Sequence, residues 1–174
     1  MDSDLLRTLR KELCGWSRVA ILGLGNEFGG DDSLGLLAAR KIKQILPSDI
    51  GEVEILETGI APENFTGMLR NLLPSHVILI DSADMREKAG CVRVVNPDSI
   101  QEVLPTTHSL PLSMLANYIE QEIGAKVIIL GIQPKQVSFS TEVSAEVRES
   151  VDEVARILRK SLDRKEFCQR GVVK

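Results

Sequence analysis

The sequence predicts one α/β domain, a three-layer αβα sandwich around a mostly parallel, twisted sheet. Three observations point there. Strand-like and helix-like segments alternate along the chain, the pattern of a sheet covered by crossover helices. Two of the strand-like runs, HVILID and KVIILGI, are continuously apolar, as suits parallel strands buried on both faces. The chain has 174 residues, enough for one domain that buries about 70% of its unfolded surface.

The elements follow in order. MDSDLLRTLRKEL reads as a short amphipathic helix with Leu5, Leu6, Leu9 and Leu13 on one side. Arg18 to Leu24 is the first strand. Ser33 to Leu46 is a helix whose apolar stripe is Leu34, Ala38, Ile42 and Ile45, and Pro47 stops it. Val53 to Thr58 is a strand, and Glu63 to Leu73 a helix that starts just after Pro62. His76 to Asp81 is the third strand, and Cys91 to Val95 a fourth at an antiparallel edge. Leu110 to Ile123 is a helix with Ser109 as N-cap and Gly124 at its end. Lys126 to Ile132 is the last strand. Ser144 to Leu162 is the last helix, with Val147, Val151, Val154 and Leu158 facing the core. Residues 1–163 make the domain, and 164–174 read as a charged, frayed tail.

Composition narrows the function. The net charge is −4 and basic residues are scattered, which argues against nucleic acid and anionic membranes. Aromatic residues make up 3%, too few for a base-stacking surface. No apolar run approaches the roughly 18 residues that span a bilayer, and the N-terminus is too charged for a secretory signal. A cytoplasmic protein is expected. Cys14, Cys91 and Cys168 are far apart and form no CxxC pair, so neither a disulfide framework nor a thiolate zinc site is indicated. Cys91 is read as a small apolar residue on a strand.

After the first strand comes GLGNEFGGDD, Gly23 to Asp32. Its glycines roughly fit a dinucleotide fingerprint, in which backbone N–H groups approach a pyrophosphate. Asp31 and Asp32 then lie where the phosphates belong, and would repel them. Either aspartate also suits the N-cap of the next helix, although one cap explains one aspartate.

Ligands of open parallel sheets bind beyond the carboxyl ends of the strands. Asp32 follows the first strand there, and Asp81 ends the third. His108, in PTTHSLP, precedes a helix and can join them. His76 begins the strand that Asp81 ends, about 17 Å away, and belongs to the opposite rim. Two carboxylates and one imidazole suit nickel or zinc better than calcium, and leave coordination positions open. His108 must be neutral to bind, and Thr106, Thr107 or a backbone carbonyl would orient its other ring nitrogen. HExxH, GxSxG and the Walker P-loop are absent.

GLGNEFGGDDSLG, TGIAPEN, VILIDSADM, TTHSLPLSML and ILGIQP occur in this order between Val19 and Leu158. Together they resemble the hydrogenase maturation endopeptidases, most nearly the formate-hydrogenlyase hydrogenase type. The resemblance implies a three-layer α/β fold and removal of a C-terminal extension from the nickel-loaded large-subunit precursor of a nickel–iron hydrogenase. It implies metal contacts at Asp32, Asp81 and His108, the same three that the strand ends suggest, and assigns them the catalytic role too. Nickel would come with the precursor; zinc or cadmium are possible substitutes in vitro. The family often has Gly where this chain has Ser33; a positive φ there would strain a serine, and entry into the helix would not. Glu57 stands where relatives often carry another residue.

The triad would recognise nickel held by the precursor, and scission would use a metal-activated water. Asp31 or Asp84 is then a candidate base or orienting group, or else a cap or surface charge. Three other readings compete. One is a dinucleotide-binding α/β domain, another a non-catalytic module that binds a hydrogenase subunit. The third, peptidyl-tRNA hydrolase, shares GLGN but lacks support from the charge and from its histidine motif.

Overall fold

The computed structural model describes residues 2–96, 111–137 and 142–163. Helix α1 is Asp2–Glu12 and strand β1 is Arg18–Leu24. A 3-10 turn, Asp31–Ser33, leads into α2, Leu34–Ile45. Strand β2 is Glu52–Gly59, followed by the turn Pro62–Phe65 and α3, Thr66–Leu72. Strand β3 is His76–Ser82 and β4 is Val92–Val95. Helix α4, Leu112–Tyr118, runs on through a π-turn, Ile119–Ile123, to β5, Lys126–Ile132. Helix α5, Ala145–Leu162, comes last.

The sheet order is β2-β1-β3-β5-β4. The first four strands are parallel, and β4 pairs antiparallel with β5 at the edge, as the sequence suggests. Side chains of each strand alternate between two cores. Val19, Ile21, Ile78 and Ile80 meet α1, α2 and α5. Ala20, Leu22, Val77 and Leu79 meet α3 and α4. The predicted three-layer sandwich is therefore present.

Each predicted apolar stripe packs inward. Leu5, Leu9 and Leu13 seat α1, and Val147, Val151, Val154 and Leu158 seat α5. Several predicted boundaries move: β2 gains a residue at each end, β3 takes in Ser82, and the helix expected from Glu63 opens as the 3-10 turn Pro62–Phe65, with α3 proper from Thr66. The helix expected from Leu110 starts at Leu112 with Pro111 at its N-cap; Ser109 and Leu110 lie outside the described residues. Its last turn widens to π geometry before Gly124 closes it at φ 76. Cys91 is half-buried in the turn before β4 rather than on it, because its N donates to Lys88 O while Gly90 N donates to the Gln133 carbonyl, which breaks the ladder there. The predicted tail, 164–174, and Cys168 are outside the described residues.

Candidate active site

Glycines bring the first loop and α2 close to the sheet. A Cβ on Gly35 would lie 2.2 Å from the Ile80 carbonyl oxygen and 2.3 Å from that of Leu24. One on Gly23 would lie 2.2 Å from the Gly35 oxygen. The two glycines let α2 rest almost on the backbone of β1 and β3. Gly25, at φ 121, has the Asp32 carbonyl oxygen 1.8 Å from where a Cβ would be. The loop therefore curls tightly over Asp32.

Six N–H groups of this loop point back into the protein. Gly25 N donates to Gly59 O, Gly29 N to Asn26 O, Asp32 N to Gly29 O and Ser33 N to Gly30 O. Asn26 N donates to Asp32 Oδ2 and Phe28 N to Asn26 Oδ1. A dinucleotide loop needs such donors for a pyrophosphate. Here they are spent internally, so the glycines serve packing and the dinucleotide reading loses its basis.

Asp32 and Asp81 come together at the carboxyl edge of the sheet. Both are buried. Ser82 ties them: its Oγ donates to Asp32 Oδ1 at 2.7 Å, and its N donates to Asp81 Oδ1 at 2.8 Å. A carboxylate has about four acceptor directions, so being held by hydrogen bonds is compatible with ligating a cation. Two carboxylates alone suit a divalent cation in general; the preference for nickel or zinc expected from the sequence depends on the imidazole. His108, the third member, lies outside the described residues, as do Thr106 and Thr107. Among the described residues no group of three His, Cys, Asp or Glu is arranged to hold a metal ion.

Asp31 faces elsewhere. Its Oδ2 accepts from Lys135 N, Gln136 N and Ser144 Oγ, and its Oδ1 from Ser144 N at 2.7 Å. Burial would raise its pKa, but these donors outweigh it and hold the carboxyl below the usual aspartate range. A carboxylate so stabilised is a poor general base. Neither Asp31 nor Asp32 caps α2, whose N-cap residue, Ser33, makes no side-chain cap hydrogen bond. Asp31 instead fixes Ser144, the N-cap residue of α5. Ser33 has φ −83 and enters the helix without strain, donating to Gly30 O.

Asp84 is exposed and accepts from Arg86 N and Gln133 Nε2. It remains near the edge as a candidate base. Glu57 has a structural partner: Arg40 Nε lies 2.7 Å from Glu57 Oε2, and Arg40 also reaches Glu27. The pairing joins β2, α2 and the first loop, and raises the Arg40 pKa, chiefly through Glu57. His76 is buried at the opposite rim, paired in register with Val19 and Lys126.

Sequence reasoning missed Ser82 and Gln133. The buried Gln133 accepts from Met85 N and Glu87 N and donates to Asp84 Oδ1 and Pro134 O, which shapes the β3–β4 loop. Ser82 ends β3 and Gln133 follows β5, both apolar strands, on the ligand-binding side, the signal that singled out Asp81.

A family model described as hydrogenase maturation protease matches residues 37–161. The hydrogenase 3 maturation protease of Escherichia coli K12 is 35% identical over 135 residues, 77% of this chain and 84% of that protein. The crystal structure of the NiFe hydrogenase maturation protease HycI from Thermococcus kodakarensis has a TM-score of 0.80 at 28% identity, covering 89% of this chain and 98% of that one. The solution structure of the endopeptidase HycI from Escherichia coli has a TM-score of 0.72 at 35% identity, covering 82% and 90%. With its sandwich, its first loop curled over one buried carboxylate and a second at the end of β3, this chain belongs to the hydrogenase maturation proteases.

Proposed function

We propose that this protease removes a C-terminal extension from the large-subunit precursor of a nickel–iron hydrogenase after nickel has entered it. Asp32, Asp81 and His108 contact that nickel, which arrives as part of the substrate. The observation that carries the reading is the pair of buried carboxylates joined by Ser82 at the ligand-binding edge. Family membership supplies the peptide-cleaving activity.

Two anions held close together favour a cation between them, since a cation offsets their mutual repulsion and desolvation. Ser82 and the Asn26 amide fix Asp32 before substrate arrives, so little ordering remains to be done on binding. A bound divalent ion acidifies a coordinated water or polarises the scissile carbonyl. Asp84 takes the proton from the water that adds across the scissile C–N bond, and that proton passes to the leaving amine. Zinc or cadmium would occupy the same donors in vitro.

The test is cleavage of nickel-loaded and nickel-free precursor by purified protein, followed by mass spectrometry. The expected result is loss of the extension from the loaded form alone. Equal cleavage of both would remove nickel recognition. Complex formation without any loss of the extension would make the chain a binding module instead.

A further inference from the structure

Six large apolar side chains stand exposed among the described residues: Phe28, Ile60, Met68, Leu73, Met114 and Val137. Five of them lie at the carboxyl edge of the sheet. Phe28 follows β1, Ile60 follows β2 and Val137 follows β5. Met68 and Met114 sit in the first turns of α3 and α4, which begin at that edge. Leu73 is at the far end of α3. Scattered exposed apolar residues need no explanation, but a set gathered at one edge does.

We infer that Phe28 and Val137 form an apolar docking strip for the polypeptide chain of the precursor, beside Asp32. The inference rests on the function proposed above. Phe28 is 55% exposed and Val137 57%. Neither hangs on a loose tip. Phe28 N is held by Asn26 Oδ1, and Asn26 N by Asp32 Oδ2. Val137 makes an antiparallel bridge with Gly30, next to Asp31. The residues before it, Lys135 and Gln136, donate their N–H groups to Asp31. The network that positions the two aspartates therefore also positions the two apolar side chains, and such preorganisation favours binding.

The breadth of the edge identifies the occupant. β2 and β5 are three strand spacings, about 14 Å, apart, so the edge that carries these side chains is broad. It is open and carried on separate loops, unlike the enclosed pocket a small ligand needs. It also continues into an open groove of about 690 Å³ between α2 and α5, where Phe28 and the half-buried Leu37 lie among Glu27, Arg40, Lys41 and Asp152. A strip leading into a groove fits an extended chain that carries apolar and charged side chains. A second copy laid symmetrically on this edge would set Asp32 and Asp81 against their own equivalents. A precursor that carries a cation complements them.

The experiment measures binding and cleavage of the nickel-loaded precursor by the wild-type protein and by Phe28→Asp, Val137→Asp and Leu73→Asp. Thermal unfolding checks that each variant folds. Phe28→Asp and Val137→Asp are expected to weaken binding and raise KM about tenfold, with kcat nearly unchanged and Leu73→Asp like wild type. Should either charged variant not fold, Phe28→Ala and Val137→Thr are expected to raise KM in the same direction, and Phe28→Leu to restore it. Unchanged KM in folded variants, an equal effect of Leu73→Asp, or a change in self-association instead of precursor binding overturns the strip and leaves the proposed function standing. A wild-type protein that neither binds nor cleaves the precursor overturns both.

Discussion

Asp31 and Asp32 are neighbours in sequence, yet their side chains leave the Asp31–Ser33 turn towards different elements. Asp32 meets Ser82 at the end of β3, and Asp31 meets the segment that starts α5. Replacing Asp31 with Asn keeps the shape but puts an amide donor among groups that all donate. Hydrogen bonds to charged groups are worth about 1.5–3 kcal/mol each in net terms, and buried donors left unpaired cost more. Asp31→Asn should lower stability by about 3 kcal/mol in urea unfolding. Ser82→Ala should act on the site as well. It frees Asp32 from a 2.7 Å hydrogen bond and leaves the backbone bond to Asp81 in place. Calorimetric titration with cadmium should show affinity about tenfold weaker, and urea unfolding a stability lower by about 1.5–3 kcal/mol, since the lost bond is to a buried carboxylate. Leu73 carries a different kind of strain. It ends α3 in the left-handed region at φ 49 while largely exposed to solvent. That conformation costs a residue with a Cβ about 1–2 kcal/mol, part of which glycine returns as unfolded-state entropy. Leu73→Gly should raise the unfolding free energy by about 0.5–1 kcal/mol in denaturant titration.

Among the elements, the strands were the most legible in the sequence. β1 and β5 begin and end where the apolar runs do, because a parallel strand buried on both faces admits few polar residues. The antiparallel edge was legible at β4 from its shortness. Less legible was the work of the first loop. GLGNEFGG looks like a phosphate turn because close backbone approach demands glycine whatever approaches. Sequence does not reveal that the approaching backbone is α2 and the Asp32 carbonyl. Asp81 was legible as a polar residue ending an apolar strand, whereas the bond from Ser82 to Asp32 depends on a register between distant segments. The seating of α2 makes a prediction of its own. Gly35→Ala would press a methyl group into the oxygens of Ile80 and Leu24, so α2 must lift from the sheet. Overpacking of this kind costs about 1–3 kcal/mol, at the upper end here because backbone atoms cannot rotate away. The variant should unfold at lower temperature, and its cleavage rate should fall as the Asp31–Ser33 turn moves with the helix.

Across the whole molecule, titratable groups at opposite edges of the sheet act on stability in the same direction. At the amino edge, burial lowers the His76 pKa, helped by the Lys126 charge and opposed by Glu12. Lys126 cannot move away easily, since it pairs with Glu12 Oε2 and caps the end of α1 through the Glu12 carbonyl. At the carboxyl edge, hydrogen bonds lower the Asp31 pKa despite its burial. In both cases the unfolded chain binds a proton that the folded chain refuses. Stability therefore falls as protons are added: first below about pH 6.5, where an unfolded histidine begins to charge, and again below about pH 4, where an unfolded aspartate is neutralised. Urea midpoints measured from pH 8 to pH 3 should decline in these two stages. His76→Gln should flatten the first and leave the second, since it removes the titrating ring and keeps a polar side chain at the edge. Asp31→Asn should flatten the second, from a lower starting stability. A wild-type midpoint that held steady from pH 7.5 to pH 5.5, or a first stage that persisted in His76→Gln, would mean that His76 takes up its proton as readily in the folded chain as in the unfolded one.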